Sequence, residues 1–243
     1  MAYVGGKATK YEHIVKILNN KKYDGFNYIE PFVGYAHILK RIVNKKSYTA
    51  CDNNPLVVSL LEFIQSGKKY PVISKTQYYT LKKQYYNKTL NPESLHLASF
   101  AAFCYSYNGK EFAGYTPSSQ NRDYVGERTR HYDQLRSNNT FKKSKIKLLS
   151  FFKLKPKVKS LIYCDPPYRN TTSYGKNEFD HDLFWEKVRE LSKQGHHVYV
   201  SEYTAPKDFK TLAKVSKFSS LGGKGASTLK TEKLFVYRFC KQK

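Results

Sequence analysis

Asp165 follows the run Leu161-Ile162-Tyr163-Cys164 and is followed at once by Pro166-Pro167-Tyr168. The run has no polar gap, which is the pattern of a strand buried on both faces. Neither proline has an N–H to give to a sheet ladder, so the strand must stop there. An acid is thereby held at the carboxyl end of a central strand, where open α/β sheets place their ligands. A carboxylate beside a fixed proline carbonyl and an aromatic ring can accept N–H groups and stack a planar ligand. The same residues also suit a plain buried strand ending in a Pro-rich turn, with Asp165 as a cap. The rest of the chain decides between these.

A second constellation lies upstream. Tyr28-Ile29-Glu30-Pro31-Phe32-Val33-Gly34-Tyr35-Ala36 reads as a short strand running into a glycine turn, then a helix carrying Ile38, Leu39, Ile42 and Val43. Strand, glycine turn, helix is a nucleotide-binding βα unit. The next strand, Ser47 to Cys51, ends at Asp52, which lies 18 residues after Gly34. In Rossmann-type units an acid at about 20 residues beyond the turn takes ribose hydroxyls. Neither GxGxxG nor GxxxxGK[ST] occurs, so the unit is shaped for a nucleoside without phosphates. At the start of the chain, Tyr3-Val4-Gly5-Gly6-Lys7 is a glycine turn ending in a compact positive charge.

The elements that must position these groups follow from periodicity and caps. A helix with Ile14, Val15, Ile17 and Leu18 precedes the first strand, and Asn54-Pro55 opens another, Leu56 to Ile64, that Gly67 ends. After Tyr168 comes a polar loop, 169–179. Asp180 or Asp182 then caps a helix with Phe184, Val188 and Leu191 on one face, stopped by Gly195. A strand at His197 to Ser201 leads into Glu202-Tyr203. A helix near Pro206 to Asp208, a short strand near Val215, a flexible basic loop at Gly222-Gly223-Lys224-Gly225 and a closing strand, Lys233 to Phe239, complete the reading.

The chain has 243 residues and a formal net charge of +24, with 22 Tyr and 15 Phe. A basic surplus of this size points to a polyanion partner, and nucleic acid fits better than a membrane surface, since no basic amphipathic helix stands out. No span of roughly 20 apolar residues and no secretory h-region is present. Cys51, Cys104, Cys164 and Cys240 make no CxxC pair, and the seven histidines show neither HxxxH nor HExxH. These spacings support no metal and no disulfide framework, place the protein in an intracellular, reducing compartment, and make surface histidine the expectation for each.

From about Tyr70 to Lys147 the α/β rhythm gives way to Tyr, Lys, Arg, Asn and Ser. Helices fit Ser74 to Tyr86 and Glu93 to Phe103, and Asn108-Gly109 marks a turn. Beyond it the segment reads as a long stretch lacking regular structure. Arg122, Arg128, Arg130, His131 and Arg136 lie in it. Arginine pairs with guanine and asparagine with adenine in the major groove, while lysine mainly neutralises phosphate.

Taken together, these motifs resemble the Dam-like (D12 class) DNA adenine-N6 methyltransferases. The matching residues are Tyr3-Val4-Gly5-Gly6-Lys7, Glu30-Pro31-Phe32-Val33-Gly34, Asp52, Tyr107-Asn108-Gly109-Lys110, Asp165-Pro166-Pro167-Tyr168 and Ser201-Glu202-Tyr203, in the family's order over nearly the whole chain. The resemblance implies an α/β, Rossmann-like sheet that binds S-adenosyl-L-methionine (AdoMet), formed by residues 1–66 and 151–243. A mainly helical, basic target-recognition insertion, 67–150, would bind double-stranded DNA. It implies that Tyr3, Lys7, Phe32, Gly34, Asp52 and Asp165 line the cofactor pocket. Asp165, Pro166 and Tyr168 would meet an adenine flipped from the duplex. Asn108, Lys110, Arg122, Arg128, Arg130 and Arg136 are the expected DNA contacts, and a cognate restriction endonuclease is a possible partner. The family usually has a second glycine soon after Gly34, where this chain has Tyr35-Ala36. The rival readings are a cytosine-N4 methyltransferase and a catalytically idle DNA-binding protein of the same fold.

Overall fold

The computed structural model describes residues 11–168, 179–219 and 228–238. A short helix α1 (Tyr11–Leu18) leads into β1 (Asn27–Glu30), β2 (Ser47–Asp52) and α2 (Pro55–Gln65). The helical layer follows as α3 (Lys75–Tyr86), α4 (Leu95–Cys104), a small hairpin of β3 (Ser118–Ser119) and β4 (Arg122–Asp123), α5 (Tyr124–Ser137) and α6 (Asn139–Lys143). The chain then returns to the sheet through β5 (Lys145–Leu148), β6 (Ser160–Cys164), α7 (His181–Lys193), β7 (His197–Glu202), β8 (Phe209–Ser219) and β9 (Thr228–Tyr237).

The main sheet has seven strands in the order β5-β2-β1-β6-β7-β9-β8. Strands β5, β2, β1, β6 and β7 pair in parallel, while β9 runs antiparallel to both β7 and β8. This is the expected Rossmann-like methyltransferase sheet. The order switches direction around β1 and β6, and that is where such sheets open a crevice at their carboxyl ends. All residues of β6 are buried, as the ungapped run Leu161 to Cys164 requires of a central strand.

Several local expectations match the observed caps. The Asn54 side chain accepts from the Leu56 N–H with Pro55 at the first helical position, and Asp180 caps α7 by accepting from Asp182 and Leu183. Each such cap contributes about 1 kcal/mol. Gly67 and Gly195 stand at φ +74° and +89°, the left-handed conformation that ends a helix.

Other expectations are corrected. The apolar spacing of Ile38, Leu39, Ile42 and Val43 does not make an α-helix but a single 3-10 turn at Leu39–Arg41. Ala36 at φ 55° and Asn44 at φ 58° break the backbone on either side. Ile38, Leu39 and Ile42 are buried because the turn lies on the core, so burial rather than helical period placed them. The expected helix near Pro206 to Asp208 is absent. A turn there feeds β8, which is much longer than the short strand expected near Val215. The stretch beyond Asn108 expected to lack regular structure holds α5, a helix whose only buried residues are Tyr132 and Leu135. Its polar texture conceals a narrow apolar stripe. Surface histidine fails for His196, which is 8% exposed and accepts the Ser160 N–H through Nδ1.

The helical layer does not form a core of its own. One apolar cluster runs from Tyr11 and Leu18 through Tyr28, Leu61 and Ile64 to Tyr78, Phe100, Tyr132 and Leu135. The sheet also takes the chain back at Lys145, ahead of the expected boundary at 151, since Cys51 and Asp52 of β2 pair with Lys147 and Leu148. A second cluster, on the α7 face, gathers Phe151, Ile162, Phe184, Trp185 and Phe209. Among the described residues, no helix is long and apolar enough to cross a membrane.

Candidate active site

Asp165 emerges from β6 between β1 and β7 and is half-buried, with Pro166 buried beneath it. The Tyr168 hydroxyl donates to Asp165 Oδ1 at 2.8 Å. The Tyr168 ring in turn meets Tyr203 edge-on, with centroids 4.8 Å apart and planes at 72°. The carboxylate is therefore oriented by a phenol, and the phenol is braced by a second aromatic. Burial, then the neighbouring Asp165 charge, push the Tyr168 hydroxyl well above its usual pKa, so it stays a donor at neutral pH.

The glycine turn and Asp52 meet as the spacing requires. The Gly34 N–H donates to Asp52 Oδ2 at 3.2 Å and the Asn54 N–H to Oδ1 at 2.9 Å. Burial raises the Asp52 pKa, while the backbone N–H groups of Asn54, Gly34 and Asn53 oppose that rise. Gly34 has φ +47°. Ala36, two residues on, is a non-glycine residue at φ 55° and fully buried. The departure from the family's second glycine thus falls on a backbone that glycine would adopt freely, at a cost of about 1–2 kcal/mol to alanine. Tyr35 reaches across to the loop at Gly109. Its hydroxyl donates to the Gly109 carbonyl at 2.8 Å. Phe32 packs into the aromatic cluster on the α7 face, 5.4 Å from Phe151 and 5.9 Å from Phe184. Tyr3 and Lys7 lie outside the described residues.

Sequence reasoning gave no role to the other acids of this region. Glu30 ends β1 and accepts from the Tyr28 hydroxyl at 2.7 Å. Glu202 ends β7 and takes the Tyr203 N–H. Glu232, on β9, lies one residue from Lys233, the register partner of Glu202. Each of these is 2% exposed. Glu30 and Glu202, with Asp52 and Asp165, thus stand at the carboxyl ends of the parallel strands β1, β7, β2 and β6, and Glu232 lies near that end on the antiparallel β9. The sequence signal was present, an acid ending or directly following β1, β2, β6 and β7, but only the strand order shows that these ends are neighbours.

The loop carrying Asn108 and Lys110 touches the same region. Tyr107, Asn108 and Lys110 are exposed and Asn108 is left-handed, at φ 52°. Beside the Tyr35–Gly109 bond, Asn54 Nδ2 donates to Glu111 Oε2 at 2.7 Å, and Tyr86 donates to the other Glu111 oxygen at 3.1 Å. Asn54 thereby joins the Asp52 turn to this loop.

The arginines of the insertion are placed differently from what their type promised. Arg128 donates to the Cys104 carbonyl at 2.5 Å. Arg136 donates to the carbonyls of Ile64 at 3.1 Å and Lys68 at 2.8 Å, with its guanidinium 4.5 Å from the Tyr70 ring centroid. Arg122 forms a two-pronged pair with Glu127 at 2.6 and 2.7 Å. Arg130 is exposed on α5, and so is the hairpin tip Gln120-Asn121, a pair that composition did not single out. His131 is turned inward, against the expectation of surface histidine. Its ring lies 5.0 Å from that of His37, and its buried Nε2 has no hydrogen-bond partner. Burial, then Lys40 and Arg41, lower its pKa to about 4.

Cys51, Cys104 and Cys164 are buried free thiols. Burial pushes Cys51 up to about 11 and Cys104 up to about 12, which removes them as nucleophiles.

A braced carboxylate at the switch point of a parallel sheet, next to a nucleoside-type acid and turn, is the arrangement of a Rossmann-like methyltransferase. The chain belongs to the D12 class N6 adenine-specific DNA methyltransferase family, whose model matches residues 3–224. It is thus an adenine-specific DNA methyltransferase by family, which sets aside the cytosine-N4 reading. No curated protein matches it. Among solved structures it is similar to the rRNA methyltransferase aviRa from Streptomyces viridochromogenes, at 12% identity and a TM-score of 0.41, covering 95% of this chain and 83% of that one. A conserved hypothetical protein from Streptococcus pyogenes is similar at 8% identity and a TM-score of 0.38, covering 88% of each chain.

Proposed function

We propose that the protein transfers a methyl group from AdoMet to the N6 amino group of an adenine extruded from double-stranded DNA, with Asp165 and the Pro166 carbonyl as acceptors for that amine. The observation that carries this reading is the Asp165 carboxylate at the end of β6, oriented by the Tyr168 hydroxyl.

The residues present fit the cofactor. Asp52 is held by backbone N–H groups at its turn and remains half-exposed, which leaves acceptor capacity for ribose hydroxyls. Asp52 and Gly34 would hold the nucleoside, with Tyr3, Lys7 and Phe32 as further proposed lining. AdoMet, when bound, supplies an electrophilic methyl on a sulfonium. The acids Glu30, Asp165 and Glu202 give that end of the sheet a negative field suited to a cation.

Adenine's exocyclic amine is a weak nucleophile because its lone pair is delocalised into the ring. Accepting its N–H groups favours a pyramidal nitrogen and frees the lone pair. The prolines fix both acceptors beforehand, so little reorganisation remains for the transition state. The Tyr168 ring would stack on the extruded base. For the DNA face we propose Asn108, Lys110, Arg130 and the hairpin tip Gln120-Asn121, whose amides suit adenine in the major groove. Arg122, Arg128 and Arg136 would then serve to hold that face in shape. An intracellular setting and a cognate endonuclease remain part of the proposal.

The test is methylation of duplex DNA by Asp165→Ala with tritiated AdoMet, alongside DNA binding. Turnover should vanish while DNA binding persists. Retained turnover would refute the acceptor role.

A further inference from the structure

The end of the sheet opposite Asp165 has a charge pattern that the methylation reading does not use. Lys155, Lys157 and Lys159 precede β6, and all are exposed. Lys46 precedes β2, Lys193 closes α7 just before β7, and Lys21 and Lys22 lie on the turn leading to β1; these too are exposed. Because β1, β2, β6 and β7 are parallel neighbours, their entry points share one face.

The contacts show how tightly the group is drawn together. Lys159 Nζ lies 5.8 Å from the Phe26 ring centroid and Lys22 Nζ 5.0 Å from that of Tyr23. Both rings pack on His197, at 5.5 and 5.0 Å. Burial, then Lys159 and Lys22, lower the His197 pKa. Lys155, Lys157 and Lys159 line a hollow with Glu190 and His196.

The acids within reach are already matched. Asp24 faces Lys45 at 3.8 Å, and Glu190 pairs with Lys187 at 2.8 Å. Lys45 and Lys187 are themselves buried. Glu190 also acts on Lys155 across the hollow, but Asp24 and Glu190 are outnumbered by the exposed lysines, which keep a net positive charge. Such a cluster on a protein without a partner costs self-repulsion, which a polyanion would relieve.

We propose that the amino end of the sheet is a second polyanion-binding face, and that its occupant is a second segment of duplex DNA. The strand length separates it from the active site: β6 at about 3.3 Å per residue puts Asp165 roughly 16 Å from Ser160, on the far side of the sheet. The substrate is a long polymer, so a second segment arrives at high local concentration once the first is held. The face is built from strand-entry loops rather than an amphipathic helix, which favours a phosphate backbone over a lipid surface.

The experiment uses the full chain bound to an immobilised duplex and measures capture of a second, labelled duplex at rising salt. The variants are Lys155→Glu, Lys157→Glu and Lys159→Glu combined, and the milder Lys155→Gln, Lys157→Gln and Lys159→Gln. A control reverses Lys75, Lys83 and Lys88, which are exposed on and just after α3 in the helical layer. Wild type should capture the second duplex, and both amino-end variants should lose about tenfold or more, with a log–log salt slope smaller by about 3. Turnover on a short duplex should be unchanged. Equal loss in the control would reduce the effect to net charge and overturn the proposal. Absence of capture by wild type would do so too, as would retention on phosphatidylserine vesicles without capture of DNA.

Discussion

The carboxyl ends of the central strands and the helix α5 present opposite lessons about charge. At the strand ends, acids that lie far apart in the chain converge on one end of the sheet: Glu30, Asp52, Asp165 and Glu202. On α5, basic residues that lie close together in the chain are turned into the protein: Arg128 and Arg136 bond to carbonyls of α4, α2 and the turn after it, and His131 is shut in beside His37. Residue type names the chemistry a side chain can do. Packing decides whether that chemistry faces a ligand or the fold.

The sharpest way to break the contrast is at Asp165. Asp165→Asn keeps the shape but weakens the acceptor, and should lower kcat by about a thousandfold, or roughly 4 kcal/mol, with DNA affinity kept. Single-turnover kinetics and a binding isotherm separate the two; an equal loss in both would place Asp165 in the DNA interface instead. Next comes Arg136→Ala. It removes bonds to two carbonyls and a cation–π contact, and should cost about 2 kcal/mol in urea unfolding while leaving the salt slope of DNA binding unchanged. Arg130→Ala should do the reverse, reducing that slope by about 1 at constant stability.

His131 tests the same inward packing through pH. Its folded pKa, about 4, lies below the ordinary histidine value of 6.5, so the unfolded chain binds the extra proton more readily. Stability should therefore fall as pH drops from 6.5 toward 4, by on the order of 2 kcal/mol, and the fall should shrink in His131→Phe. Chemical denaturation across that window checks it, and an identical pH profile in the variant would mean that other groups carry the loss.

Asp52 carries the acidic side of the comparison into solution. Its pKa is raised by burial, and only the ionised form accepts two ribose hydroxyls fully. The KM for AdoMet should rise as pH falls, beginning at a higher pH than an unperturbed aspartate would give. Asp52→Asn should raise it by about tenfold and flatten that dependence. The smallest effect is expected from Ala36→Gly. Relief of the left-handed alanine should add up to about 1 kcal/mol of stability or tighten AdoMet, read by thermal melting with and without cofactor.

How much was legible in the sequence differs from one element to the next. The strand ending at Asp165 was legible because burial and proline chemistry act on consecutive residues. So were the cap at Asn54 and the Gly34–Asp52 relation, each set by spacing along one βα unit. The Ile38 to Val43 turn was misread as a helix because apolar spacing reports burial and leaves φ at Ala36 and Asn44 unstated. Helix α5 was missed because Tyr132 and Leu135 alone carry its buried stripe. The edge strand β5 was assigned to the insertion because Lys-Ile-Lys-Leu gives no hint that its backbone finds β2.

By itself the sequence determined the reactive carboxylate, the turn that would hold a nucleoside, and the basic character of the chain. Each depends on backbone rules that operate within a few residues. Tertiary structure alone decided which acids share one end of the sheet, which arginines are tied to carbonyls, and at which end the lysines collect. Those outcomes depend on through-space distances of a few ångströms, set by strand order and helix packing between residues far apart in the chain.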